Sequence, residues 1–182
     1  MLKLIGDNNA VPATGIALPS AFIMAAKTEK TNVMRILEQK KVNYTAHCYE
    51  GTGAVSGAEV ATVLGEEPEK VFKTLVTVGR SKEHYVFVIP VLCELDLKKA
   101  AAAAGEKNIE MIAQKELLPL TGYIHGGCSP VGMKKFFKTV VDETAQLYDT
   151  ILFSAGKIGY QIEMNPADIE KVIPVEFKDL TV

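Results

Sequence analysis

The chain has 182 residues, 48% of them hydrophobic and 23% charged, which suits one globular domain with a full core and excludes fibrous and disordered classes. A formal charge of −2 excludes the broad basic surface with which self-sufficient nucleic-acid binders neutralise many phosphates. Cys48, Cys93 and Cys128 are odd in number and lack C-x-x-C spacing, which fits reduced thiols in the cytoplasm better than a disulfide frame. His47, His84 and His125 are scattered and form no local metal motif, so neither a metal nor another cofactor is expected.

Residues 1–27 carry Asn8-Asn9, Pro12, Gly15 and Pro19 without sustained periodicity, and read as a leader or a misassigned start. The apolar stretch from Ile16 to Ala26 is too short to span a bilayer. Residues 28–182 form the expected single domain. From Thr31, Val33, Met34, Ile36 and Leu37 fall on one helical face, with Lys40-Lys41 expected in the last turn. A strand from Tyr44 to Tyr49 leads into Gly51-Thr52-Gly53. Ser56 and Glu59 then have capping-box spacing for a helix to Leu64, closed by Gly65.

The β-branched run Val71 to Val78 and the stretch Tyr85 to Val91, separated by Gly79-Arg80-Ser81-Lys82, predict a hairpin. Asp96 is placed to cap a helix through Ala100 to Ala104, where small side chains allow close packing on a sheet. A short strand is expected at Ile109 to Ile112, and a short helix from Gln114 to Leu118, halted by Pro119. Four glycines and a proline between Gly122 and Gly132 predict a long ordered loop. Strands follow at Lys138 to Val141, Thr150 to Phe153 and Gly159 to Met164, with turns at Asp142-Glu143 and Ser154-Ala155-Gly156-Lys157. Asn165-Pro166 opens a last helix over Ala167 to Val172. Few helices alternate with the strands, so the pattern predicts an α+β fold with a mixed, largely antiparallel sheet.

Strand alternation sets Lys73 on one face with Val71, Leu75 and Thr77. Its amine either runs along the sheet to water or stands in a partly desolvated pocket, holding a carbonyl or phosphate oxygen. Gly126-Gly127-Cys128-Ser129 is either a structural turn or a nest of backbone N–H groups for an oxyanion or phosphate. Ser154-Ala155-Gly156-Lys157 poses the same choice. Cys128 and His125 suggest a thiol and its base, although adjacency in a loop does not establish the pair. Tyr49 and Tyr123 are packing residues or pocket walls, and the pairs Asp142-Glu143 and Glu66-Glu67 read as solvated turns.

Three segments, V-F-K-T-L-V (71–76), G-Y-I-H-G-G-C-S-P-V-G-M-K-K (122–135) and F-S-A-G-K-I-G (153–159), closely resemble the YbaK/EbsC family of Cys-tRNA(Pro) deacylases in order and separation. The resemblance runs from about Thr31 to the C-terminus and includes D-L-K-K-A-A (96–101). It implies a mixed sheet curled around a substrate pocket, related to the editing domain of bacterial prolyl-tRNA synthetases. It also implies trans-editing, in which cysteine mischarged onto tRNA(Pro) is removed by hydrolysis. The family's essential lysine falls on Lys73, its pocket tyrosines on Tyr49 and Tyr123, its glycine-loop backbone on Gly126 and Gly127, and its pocket serine on Ser154. Ser129 in the same loop joins the candidate substrate contacts.

Two departures bear on amino-acid preference. Many members have an aspartate where Gln161 stands, and some an aromatic residue near Ser56; both positions remain candidate substrate contacts. The resemblance implies no protein nucleophile, so that the cysteinyl thiol and the ribose hydroxyls take part while Lys73 anchors the ester. Expected partners are aminoacyl-tRNA and prolyl-tRNA synthetase, with no membrane and with weak tRNA binding by the isolated protein. The alternatives are a deacylase for another mischarged tRNA such as Ala-tRNA, and a non-catalytic aminoacyl-nucleotide binding module.

Overall fold

The computed structural model describes residues 29–182, and the leader expected over residues 1–27 lies outside them. Helix α1 (Asn32–Gln39) starts where the Thr31 hydroxyl accepts from the Met34 N–H, and it buries Val33, Met34 and Leu37. Each such side chain contributes roughly 1.5–3 kcal/mol of transfer free energy before conformational entropy is counted. Lys40 caps this helix and Lys41 takes a φ of 57°, so the two lysines follow the last turn instead of occupying it. Strand β1 (Thr45–Cys48) leads to α2 (Gly57–Leu64), which has the expected Ser56/Glu59 capping box and ends on Gly65.

Strands β2 (Phe72–Gly79) and β3 (His84–Pro90) form the expected antiparallel hairpin. Asp96 accepts from the N–H groups of Lys98 and Lys99 and starts α3 (Leu97–Ala104). Strand β4 (Ile109–Met111) follows, then α4 (Gln114–Thr121). Pro119 lies inside α4 and does not halt it. The ring removes only the one N–H that would have bonded the carbonyl of exposed Lys115, and Gly122 closes the helix one turn later on Leu118. Strands β5 (Lys138–Asp142), β6 (Ile151–Ser154), β7 (Tyr160–Met164) and β8 (Val175–Lys178) complete the fold. The helix expected over Ala167 to Val172 is a 3-10 turn at Pro166–Lys171.

The strands make two sheets. One is antiparallel in the order β1-β7-β6, and the other is mixed in the order β4-β2-β3-β5-β8, with β3, β5 and β8 parallel neighbours. A parallel bridge from Val71 to Leu152 joins them. The larger sheet is covered on both faces. Phe72, Val76, Val88 and Val141 pack with α1, Phe153 and Ile162, while Phe87, Ile89 and Val140 pack with Ala100 and Ala101 of α3. The sequence predicts this α+β class, with four of the six strand pairings antiparallel across the two sheets.

Asp142 corrects a further expectation. It is 1% exposed instead of solvated, its Oδ1 accepts from the N–H and hydroxyl of Thr144, and its Oδ2 accepts from the Leu180 N–H at 3.0 Å. The carboxylate thus holds the segment after β8 against the end of β5.

A candidate active site at the open edge of strand β2

The Val91 N–H donates to the Val71 carbonyl, and the Gly79 N–H donates to the Glu83 carbonyl, both at 2.8 Å. With the β2–β3 register, this phase turns the backbone groups of odd-numbered β2 residues toward β3 and those of Phe72, Thr74 and Val76 away from it. On that outer side β4 reaches only as far as Thr77, opposite Met111, with one further bond from the Ile112 N–H to the Val76 carbonyl. At the other end the bridge from β6 reaches only Val71. Among the described residues no strand pairs with the outward backbone groups between, and a cavity of about 450 Å³ opens there.

Residues 72–76 of β2 form one wall, Ser56 and Gly57 at the start of α2 another, and Met111 and Gln114 a third. Tyr49 just after β1, Ser154 and Gln161 from the smaller sheet, and His125, Gly126 and Cys128 from the glycine-rich loop also line the cavity. Lys73 Nζ donates to the Val91 carbonyl at 3.2 Å, so the ammonium stands at the rim. Among the described residues it has no carboxylate within ion-pair distance. Two buried side-chain oxygens, Thr74 Oγ1 and Gln161 Oε1, have no hydrogen-bond partner among the described residues, and both residues line the cavity. Buried polar atoms are ordinarily paired, so these two mark where a ligand's polar groups would be received.

Of the residues singled out in the sequence, Lys73, Gly126, Tyr49, Ser56, Ser154 and Gln161 meet at this cavity. Tyr123, Gly127 and Ser129 stand behind its wall. The Tyr123 hydroxyl donates to the Val131 carbonyl at 2.6 Å, and burial pushes the phenol up to about 12. Ser129 is fully buried and accepts from the Val131 N–H, while Gly127 packs against the backbone of Ile158. These three shape the loop from behind because a loop that turns back on itself has an inner and an outer side, which composition does not distinguish.

Thr74 and Gln114 were not singled out in the sequence. The signal for Thr74 was a hydroxyl within an otherwise apolar strand face, beside Phe72 and Val76. Cys128 lines the cavity with His125, yet burial pushes its thiol up to about 12, which leaves little thiolate for attack at neutral pH.

His47, Glu66 and Glu163 bring one potential ligand atom each to within 4.8 Å of one another. His47 Nε2 and Glu163 Oε2 are already hydrogen bonded at 2.9 Å, and Thr150 donates to the other oxygen of Glu163 at 2.6 Å. None of these residues lines the cavity. Among the described residues no helix is long and apolar enough to cross a membrane.

Residues 52–172 match the aminoacyl-tRNA editing domain family. The chain is 48% identical over 154 residues to EbsC of Enterococcus faecalis, named as a candidate Cys-tRNA(Pro)/Cys-tRNA(Cys) deacylase; the match covers 84% of this chain and 94% of the relative. A solved structure of a candidate trans-editing enzyme for prolyl-tRNA synthetase superposes with a TM-score of 0.72 at 24% identity, covering 82% of this chain and 94% of that one. The hypothetical protein APE2540 superposes with a TM-score of 0.77 at 22% identity, covering 85% and 100% of the two chains. The solved structures share the fold, and the family match together with the identity to EbsC establishes that this chain belongs to the aminoacyl-tRNA editing domain family.

Proposed function

We propose that the protein is a trans-editing deacylase that hydrolyses the ester of mischarged Cys-tRNA(Pro) and releases cysteine and free tRNA. The observation that carries the reading is the cavity at the open β2 edge, which Lys73 lines together with the residues of two buried oxygens, Thr74 Oγ1 and Gln161 Oε1, that lack partners among the described residues. The 48% identity with EbsC, named for Cys-tRNA(Pro) and Cys-tRNA(Cys), supports a cysteinyl-tRNA substrate.

In this reading the terminal adenosine and its cysteinyl ester enter the cavity, and Lys73 holds an ester or phosphate oxygen that gains negative charge in the transition state. Tyr49, Ser56, Ser154 and Gln161 contact the substrate, and Gly126 brings its backbone close to the aminoacyl group. Gly127, Tyr123 and Ser129 hold that loop in place. The reacting thiol and hydroxyls belong to the substrate, which agrees with a Cys128 thiol kept protonated. Discrimination between cysteine and proline by size alone is limited, which is the physical reason for a second hydrolytic site.

A net charge of −2 gives the isolated protein little hold on a phosphate backbone, so prolyl-tRNA synthetase, in the cytoplasm, supplies the tRNA contacts. The functional domain in this reading is residues 28–182. The experiment is deacylation of Cys-tRNA(Pro), Ala-tRNA(Pro) and Pro-tRNA(Pro) by the wild type and by Lys73→Ala. Release of cysteine alone, lost in the variant, supports the reading. Release of alanine alone changes the substrate. No release from any, with prolyl-tRNA synthetase present, overturns it.

A further inference from the structure

The cavity carries an uncompensated positive charge. Among the described residues no aspartate or glutamate lines it, and Lys73 and His125 are the only lining residues able to carry a positive charge. Carboxylates on the surrounding elements are engaged elsewhere. On α2, Glu59 accepts from the Val55 and Ser56 N–H groups at 2.9 and 2.8 Å. On α4, Glu116 accepts from the Ala113 N–H at 2.9 Å, and on β7, Glu163 is held by His47 and Thr150. Beyond β1, Glu50 is held by Tyr160 and Lys157, and on β4, Glu110 is exposed and accepts from Asn108. The first two of these carboxylates also offset the positive ends of α2 and α4, which leaves Lys73 as the charge that a ligand meets.

An aminoacyl ester has an α-amino group, and an ammonium entering this cavity would be buried beside a lysine with no anion to offset it. The two unpartnered groups ask for something else. The Gln161 carboxamide oxygen requires a donor, and the Thr74 hydroxyl has both a donor and an acceptor to satisfy. A neutral amine offers two N–H donors and one lone pair, whereas an ammonium has no lone pair to receive the Thr74 hydrogen.

We infer that the site binds the aminoacyl group with its α-amino nitrogen uncharged, received by Gln161 and Thr74, and so selects the deprotonated form of the ester. The inference rests on the deacylase reading of the cavity and adds the charge state of its ligand. A free α-amino group loses its proton at about pH 7.7–8.0, and an adjacent ester carbonyl lowers that further, so the neutral form is available under ordinary conditions.

The test compares two non-hydrolysable amides of 3′-amino-3′-deoxyadenosine by calorimetry with the wild-type protein. One carries cysteine and the other 3-mercaptopropionate, the same group without the amine, so that pH effects on the protein or on the ligand thiol fall on both. The affinity of the cysteinyl amide relative to the desamino amide should rise at least about tenfold between pH 6 and pH 8, as the amine loses its proton. Gln161→Glu, which places a carboxylate at the same reach, should abolish or reverse that rise. A wild-type relative affinity that does not rise over that range overturns the inference and leaves deacylation untouched. Failure of both amides to bind overturns it as well, while the tRNA deacylation assay reports independently on the activity.

Discussion

The Lys73 ammonium donates to the carbonyl of Val91, whose own N–H closes the β2–β3 ladder on Val71. The lysine is therefore fixed at the cavity rim by backbone and not by a carboxylate partner, which leaves its charge free for substrate. Lys73→Met keeps most of the aliphatic stem and removes the charge. It should lower kcat/KM for deacylation by about 100-fold or more, the size expected for loss of one transition-state contact to developing charge. Thermal unfolding should change little, which separates a role in the reaction from one in folding.

Cys128→Ala should leave deacylation within about threefold of wild type, because a thiol held up to about 12 by burial supplies little nucleophile at neutral pH. Steady-state kinetics and mass spectrometry during turnover test this together. Near-complete loss of activity with a covalent acyl adduct on the wild-type Cys128 would establish a thiol mechanism instead.

Asp142→Ala should destabilise the fold by about 2–4 kcal/mol, since it removes a buried acceptor shared by the Thr144 and Leu180 N–H groups. Urea titration followed by circular dichroism measures the change. A shift below about 0.5 kcal/mol, the range of ordinary surface substitutions, would show that these donors find other partners.

Glu163 links stability to pH. The Thr150 hydroxyl first, and His47 after it, hold its carboxyl below the usual range. A carboxylate depressed in the folded state contributes stability that is complete above its unfolded pKa, and that stability is lost as pH falls through the folded value. The unfolding free energy should therefore decline on acidification below about pH 4.5, the ordinary glutamate value. Glu163→Gln should flatten that decline while remaining folded at neutral pH, and parallel denaturation curves would contradict the assignment.

Gly126 adopts a φ of +84° on the cavity wall, where an added Cβ would meet only Ile158 at 3.7 Å. Gly126→Ala therefore has room for its methyl group but strains the backbone, at a cost of about 1–2 kcal/mol. Loop geometry should relax and deacylation fall, with kcat affected more than KM. Unchanged kinetics would remove the loop backbone from the reaction.

Much of the fold was legible because each early element had its own local signal. Ser56 with Glu59, Asp96 before the alanine run, and the β-branched stretch around Lys73 fixed α2, α3 and β2. The misreadings came where tertiary contacts override local chemistry. Asp142 looked like a turn residue, yet it receives Leu180 from 38 positions away. Pro119 looked like a stop, yet its ring faces solvent and the helix loses a single bond. Strand β8 was not among the expected elements, because the alternation of Val175, Glu176, Phe177 and Lys178 is too short to tell an edge strand from a loop. At the site, Lys73 was open to two readings because periodicity gives a face and not an edge. The cavity lies beside the strand where β4 stops, and the length of a distant partner strand cannot be read from β2 itself.

The bridge between Val71 and Leu152 has a consequence for how the chain matures. The cavity borrows walls from residues near 49–57, 72–76, 111–128 and 154–161, so it exists only after contacts across most of the chain have closed. Such distant closures are entropically late events in folding. A nascent polypeptide that has not yet added residues 154–161 lacks a wall of the cavity, so the site is complete only with the finished architecture.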